Sequence, residues 1–163
     1  GTLHMCRSFG RRMIERGTGS IINVSSVDAV DPSWGNLHYG VSKAGVAMLT
    51  TGLAREWGKT GVRVNAVAPG LTKTSGTRSM WEADDGAAAA RNLVLGRLTT
   101  ADDIANACVF LLSDEAASIT GVVIDVDAGD LMTVPRKARH RDRTDMTEAG
   151  KADLELAASQ RSP

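Results

Sequence analysis

Tyr39 and Lys43 stand four residues apart, and Ser26 lies thirteen residues before the tyrosine. On a helix that begins near His38, side chains at i and i+4 share one face, one turn apart. A free phenol keeps its proton to about pH 10. A neighbouring ammonium group favours the phenolate, which makes the phenol able to exchange a proton near neutral pH. A serine hydroxyl can hold the oxygen that gains or loses that proton. The chemistry this trio points to is proton transfer at an oxygen atom. Singly, each residue has an ordinary explanation: a surface phenol at a helix start, a solvated helix lysine, a serine in a turn. The elements that place them decide between the two.

Residues 2 to about 16 put Leu3, Cys6, Phe9 and Met13 on a helical stripe, with Arg11, Arg12, Glu15 and Arg16 opposite. Gly17 and Gly19 end that helix. Ile21, Ile22 and Val24 form a short β-branched run, the pattern of a buried parallel strand. Ser25 and Ser26 follow at its carboxyl end, where open α/β sheets bind ligands. After a loop with Pro32 and Gly35, a helix is predicted from about Leu37 to Trp57, with Val41, Ala44, Met48, Leu49 and Leu53 as its apolar positions. Val62, Val64 and Val67 mark the next strand, stopped by Pro69-Gly70. Helix, strand, helix, strand in alternation predicts a parallel α/β sheet.

Leu71 to about Leu95 is a long connection, of the kind that serves as a lid or binding loop, with a short helix inside it. Thr100 and Asp103 make a capping box for a helix to about Ser113. Gly121 to Asp127 is the last strand. Beyond Met132 the periodicity stops, so residues 1–133 read as one domain and 134–163 as a charged tail, disordered or loosely helical. The basic run from Arg136 to Arg143 could touch an anionic partner.

Nineteen basic and nineteen acidic side chains cancel, which argues against a dedicated nucleic-acid or anionic-membrane binder. Aromatics at 4% are too few for a base-stacking platform. Cys6 and Cys108 lie far apart with no metal spacing, and read as reduced, buried thiols of a cytoplasmic protein. His4, His38 and His140 are equally scattered, so no metal site is expected. No apolar run is long enough to span a bilayer.

Taken together, IINVSS, YGVSK, NAVAPG with Thr74, GRLTTADDIANACVFLLSD and ASITG…VDAG resemble, in order and spacing, the short-chain dehydrogenase/reductase family from Gly1 to about Leu131. The resemblance implies the C-terminal half of a doubly wound, Rossmann-like parallel sheet with flanking helices. It implies an NAD(P)-dependent oxidoreductase that moves hydride between nicotinamide and an alcohol or carbonyl substrate. Tyr39 would carry the proton, Lys43 would support the phenolate and bind the nicotinamide ribose, and Ser26 would orient the substrate oxygen. Cofactor contacts would come from Tyr39, Lys43, Pro69, Gly70, Thr72 and Thr74, with NAD or NADP as cofactor. Residues Ser75 to about Arg91, with Met80 and Trp81, would cover the substrate. Helices 2–16 and 38–57 resemble the family's dimer-forming pair, so a homodimer or homotetramer is expected, with no nucleic-acid or membrane partner.

Two departures qualify the resemblance. The chain holds no Gly-x-x-x-Gly-x-Gly, whose backbone N–H groups cradle the pyrophosphate, and no asparagine before Asn23 to match the family's catalytic one. The expectation is a C-terminal, catalytic portion whose N-terminal cofactor half lies off this chain, and which binds NAD(P) poorly alone. The alternative is a short paralogue acting as a non-catalytic, oligomerising subunit. A basic-tailed binding module using 136–143 is a third. The second departure is Val-Asp-Ala-Gly at 126–129, where the family usually has Val-Asp-Gly-Gly.

Overall fold

The computed structural model describes residues 1–132; the predicted tail, 134–163, with its basic run at 136–143, lies outside the described residues. Three strands form a parallel sheet in the order β1 (Gly19–Val24), β2 (Val62–Pro69) and β5 (Val123–Val126). Helices α1 (Thr2–Arg16), α2 (Leu37–Trp57) and α4 (Ala101–Leu112) flank it. The mixed α/β architecture expected from the alternation is what the chain adopts.

α1 ends where the sequence places its stop. Gly17 takes the left-handed conformation (φ 73°) that a side chain resists, and its N–H caps the last turn. The N-terminus of α4 is equally legible: the Thr100 hydroxyl accepts from the Asp103 N–H, and the Asp103 carboxylate accepts from the Thr100 N–H.

The buried faces of the first two helices differ from the predicted stripes. On α1, Cys6 and Gly10 are buried and Met13 and Ile14 pack on the core, while Leu3 and Phe9 are about half exposed. On α2, Thr50, Leu53 and Ala54 are buried, whereas Val41, Ala44 and Met48 face solvent. Both helices carry apolar residues on two faces, so apolar spacing alone mixes them: Cys6 and Met13 of the first stripe and Leu49 and Leu53 of the second reach the core, and the rest do not. Small and polar residues mark the sheet-facing side. A Cβ on Gly10 would come within 2.4 Å of the Trp57 ring, so the two helices touch only because that position is bare.

Strand alternation assigns the helices to faces. Val62 and Val64 join Cys6, Leu53 and Ala54 in the core on the α1/α2 side. Ser20 and Arg63 point the other way: the Ser20 hydroxyl and the Arg63 guanidinium donate to the Leu111 carbonyl of α4 at 3.3 and 2.7 Å. The crossovers β1–α2–β2 and β2–α4–β5 therefore step in one direction across the sheet on opposite faces. Their hands are opposite, and one of them is of the rare left-handed kind.

The connection from 71 to 100 leads from β2 to α4. It contains a two-residue parallel ladder, β3 (Thr72–Lys73) with β4 (Thr99–Thr100), which the sequence did not reveal. Two 3-10 turns (Ser75–Met80 and Glu82–Asp84) and α3 (Ala87–Ala90) lie between them, the last being the expected short helix.

Buried polar residues brace the sheet. Cys6 Sγ donates to Asn23 Oδ1 at 3.4 Å, Asn23 Nδ2 donates to Thr50 Oγ1 at 2.9 Å, and the Thr50 hydroxyl donates to the Val46 carbonyl. One side chain of β1 thus ties α1 and α2 together. Asn65 Nδ2 donates to the Ile119 carbonyl and its Oδ1 accepts from the Val122 N–H, which pins the entry to β5. Cys6 and Cys108 are both free thiols; Cys6 is buried, but Cys108 is only half-buried, because it lies at the edge of the α4 contact face.

Candidate active site

β1 and β2 run in register from Gly19↔Val62 to Val24↔Val67. The Ser25 N–H extends the ladder by one bond, to the Val67 carbonyl at 2.8 Å. Ser25 and Ser26 therefore emerge at the carboxyl end of β1, beside Pro69 and Gly70 at the carboxyl end of β2. All the sequence-predicted site residues lie along this edge or on the elements that leave it.

The two serines do different work. Ser25 is buried, and its hydroxyl donates to the Lys43 carbonyl at 2.9 Å, fastening the first turns of α2 to the strand end. Ser26 caps the 3-10 turn Val27–Ala29, its Oγ accepting from the Asp28 N–H at 3.2 Å. A hydroxyl offers one proton and two lone pairs. The bond to Asp28 uses a lone pair of Ser26 and not its proton.

Tyr39 lies in the first turn of α2 and is 41% exposed; Lys43 follows one turn later. The Lys43 ammonium donates to the Val24 carbonyl at 2.9 Å and lies 5.5 Å from the centroid of the Tyr39 ring. One of its three N–H donors is committed, leaving two for a ligand. Gly40 brings this turn against the loop that Ser26 caps. A Cβ there would sit 2.8 Å from the Asp28 carbonyl oxygen and 2.9 Å from Pro32 Cβ. Glycine at 40 is what allows the tyrosine turn to approach the serine turn so closely.

The predicted cofactor contacts continue along the same edge. Gly70 N–H donates to the Val126 carbonyl at 3.1 Å, and a Cβ on Gly70 would meet Asp127 Cα and Cβ at 2.9 Å. The Thr72 hydroxyl donates to the Gly70 carbonyl, closing the turn after Pro69. Thr74 is exposed at the start of the 3-10 turn that begins the long connection, and its N–H donates to Thr77 Oγ1 at 3.2 Å.

Three participants escaped the sequence reading. Ser25 was indistinguishable from Ser26 by type. Gly40 sits inside YGVSK with nothing in its neighbours to show the approach. Asp127 caps the turn after β5 through bonds from the Gly129 and Leu131 N–H groups. That turn holds Ala128 at φ 55°, in the left-handed region.

These residues fit one end of a nicotinamide dinucleotide. Two spare ammonium donors on Lys43 and the exposed Thr74 hydroxyl can meet a ribose and a carboxamide. Among the described residues no glycine-rich turn follows a strand, so nothing there fits the pyrophosphate.

A family model described as enoyl-(acyl carrier protein) reductase matches residues 1–130. A probable short-chain type dehydrogenase/reductase of Bradyrhizobium diazoefficiens is 41% identical over 138 residues, covering 85% of this chain and 49% of the relative. D-threitol dehydrogenase of Mycolicibacterium smegmatis is 40% identical over 129 residues, covering 79% and 50%. Among solved structures, a Burkholderia cenocepacia gluconate 5-dehydrogenase in complex with NADP and tartrate superposes with a TM-score of 0.74 at 30% identity, covering 79% of this chain and 51% of that one. A Brucella melitensis structure described as ribose-5-phosphate isomerase superposes with a TM-score of 0.72 at 43% identity, covering 80% and 51%. The chain spans about half the length of the curated relatives it matches.

Proposed function

The chain belongs to the short-chain dehydrogenase/reductase family, and on that premise we propose that it carries the proton-transfer apparatus of an NAD(P)-dependent oxidoreductase acting on an alcohol or carbonyl. The observation that carries this reading is the Lys43 ammonium held between the Val24 carbonyl and the Tyr39 ring, at the carboxyl end of a parallel sheet.

In the reductive direction the substrate carbonyl oxygen lies between Ser26 and Tyr39. The Ser26 O–H, left free by the turn it caps, donates to that oxygen and polarises the C=O bond. Tyr39 gives its phenolic proton to the same oxygen as the carbonyl becomes an alcohol, and Lys43 stabilises the phenolate left behind. A positioned acid of this kind contributes about 10²–10⁴ in rate. The nicotinamide, when bound, supplies or accepts the hydride. Lys43 and Tyr39 would hold its ribose side, and Pro69, Gly70, Thr72 and Thr74 would hold its carboxamide side. Segment 75–91 covers the substrate.

A second reading has its own support. Leu3, Met5 and Phe9 on α1 and Leu37, Val41 and Met48 on α2 are all large, apolar and 45% exposed or more. Two adjoining helices with bare apolar faces favour self-association, as a homodimer or homotetramer. The same faces suit a non-catalytic, oligomerising subunit. Free thiols at Cys6 and Cys108 are compatible with a cytoplasmic setting, and among the described residues no helix is long and apolar enough to cross a membrane.

Turnover separates the readings. The polypeptide made from its intact reading frame is assayed by nicotinamide absorbance with NADH and NADPH against ketones, aldehydes and polyols. The oxidoreductase reading expects cofactor consumption that requires one of these substrates. Association without turnover would establish the subunit reading instead. Product formation without nicotinamide turnover would point to isomerase chemistry. For the 163-residue chain alone, affinity for either cofactor is expected to be weaker than on the order of micromolar; tighter binding would overturn that part.

A further inference from the structure

The 3-10 turn Ser75–Met80 is organised by a single hydroxyl. Thr77 Oγ1 lies 2.5 Å from the Thr72 carbonyl oxygen, 3.3 Å from the Thr74 carbonyl oxygen and 3.1 Å from Thr74 Oγ1. It also lies 3.2 Å from both the Thr74 amide nitrogen and Trp81 Nε1. Five neighbours exceed what one hydroxyl can serve, since it has one proton and two lone pairs. The shortest contact places the proton on the Thr72 carbonyl. The amide of Thr74 and the indole of Trp81 are pure donors, so they take the two lone pairs. Nothing remains for the Thr74 hydroxyl, which accepts the Thr77 N–H in the capping box that opens the turn and keeps its own proton.

Trp81 is held a second time. The Lys73 ammonium lies 5.6 Å from the centroid of its ring and is itself bonded to Asp85 Oδ1 at 2.7 Å. Thr72, Lys73, Thr77, Trp81 and Asp85 thus form a closed circuit that joins β3 to the middle of the long connection. The indole has no spare N–H; what it can offer a ligand is ring surface.

We infer that Thr77 is a positioning residue. Its hydroxyl fixes the indole of Trp81 relative to β3 and, by filling its own valences, leaves the proton of the Thr74 hydroxyl for a ligand. The inference rests on the proposed reading of Thr74 and of segment 75–91, but the circuit itself is measurable without cofactor. The Trp34, Trp57 and Trp81 indoles give separate N–H resonances in the full chain, and Trp81→Phe identifies the third. Exchange of the Trp81 indole proton with solvent is expected to quicken about fivefold in Thr77→Val, the loss of one hydrogen bond of ordinary strength. Thr77→Ser keeps the hydroxyl and is expected to restore the slow rate. Should Thr77→Val fold poorly, Trp81→Phe serves instead: it empties one lone pair, and backbone amide exchange over residues 75–81 is expected to rise. In the polypeptide from the intact reading frame, Thr77→Val is expected to raise KM for the carbonyl substrate more than it lowers kcat, again with rescue by serine. Unchanged indole exchange in Thr77→Val, or equal loss in Thr77→Ser, would overturn the inference. Absence of turnover in the unsubstituted protein would sink the oxidoreductase reading while the exchange result still decided the role of Thr77.

Discussion

Removing one hydroxyl from each of two adjacent serines should cost the fold about the same and the chemistry very differently. Ser25→Ala deletes a buried bond of 2.9 Å to the Lys43 carbonyl. That carbonyl lies within α2 and keeps its place in the helix ladder, so no buried group is orphaned. The loss is that of an ordinary hydrogen bond, about 0.5–1.5 kcal/mol. Ser26→Ala deletes the acceptor for the Asp28 N–H at 3.2 Å, a cap worth about 1 kcal/mol. For a unit of this size either loss lowers the melting temperature by about 3–6 °C. In turnover the two diverge. Ser26 would touch the substrate oxygen, and losing one such donor typically costs about 10²–10³ in kcat. Ser25 touches only the backbone, and its loss should leave kcat/KM within severalfold. Thermal unfolding and steady-state kinetics on both variants read the comparison. If Ser25→Ala loses as much turnover as Ser26→Ala, or more, the division of labour between the serines is wrong.

Four other substitutions test the framework. Thr50→Val keeps side-chain shape but leaves Asn23 Nδ2 buried without an acceptor, so denaturant midpoints should show a loss of about 1–3 kcal/mol. Thr51→Val, whose exposed hydroxyl bonds only the Ala47 carbonyl, should change little. The Asp103 carboxyl is held well below the usual carboxylate range, first by the Arg97 guanidinium and then by the Thr100 N–H and hydroxyl. Because the folded value is depressed, its stabilisation is complete above the unfolded value of about 3.9 and shrinks as pH falls below it. The stability difference between the unsubstituted chain and Asp103→Asn should therefore be flat from neutral pH to about pH 5 and narrow in stronger acid. Ala128 occupies φ 55°, which costs an L-residue about 1–2 kcal/mol. Glycine relieves that strain but adds about 0.4–1 kcal/mol of unfolded-state entropy. Ala128→Gly should stabilise by about 1 kcal/mol or less, and a loss of stability would show the strain to be relieved elsewhere.

Local signals carried the element boundaries well. Glycine at 17 and the Thr100–Asp103 pair specify a helix end and a helix start through their own chemistry, whatever surrounds them. The strand ends of β1 and β2, and with them the placing of Ser26 at the carboxyl edge, followed from β-branched runs stopped by Ser-Ser and Pro-Gly; Thr74 came only from the family resemblance. What stayed hidden depends on partners distant in sequence. α1 and α2 present apolar residues on two faces, and only the sheet shows that Gly10 and Thr50 face inward while Phe9 and Met48 do not. The β3–β4 ladder joins two pairs of residues across a long connection, too little sequence to carry a period. Ser25 and Ser26 are chemically identical until α2 packs beside one of them. The departure at Ala128 was visible as a letter, but its meaning is a backbone angle.

Tyr39 is the proposed proton carrier, and Tyr39→Phe tests that role most directly in the polypeptide from the intact reading frame. The ring and its place over Lys43 are kept, and only the hydroxyl is lost. Turnover and NAD(P)H affinity are measured on the same preparation. The account predicts cofactor affinity within about twofold of the unsubstituted protein and kcat reduced by about 10² or more. Retention of most of the turnover, with affinity unchanged, would contradict it.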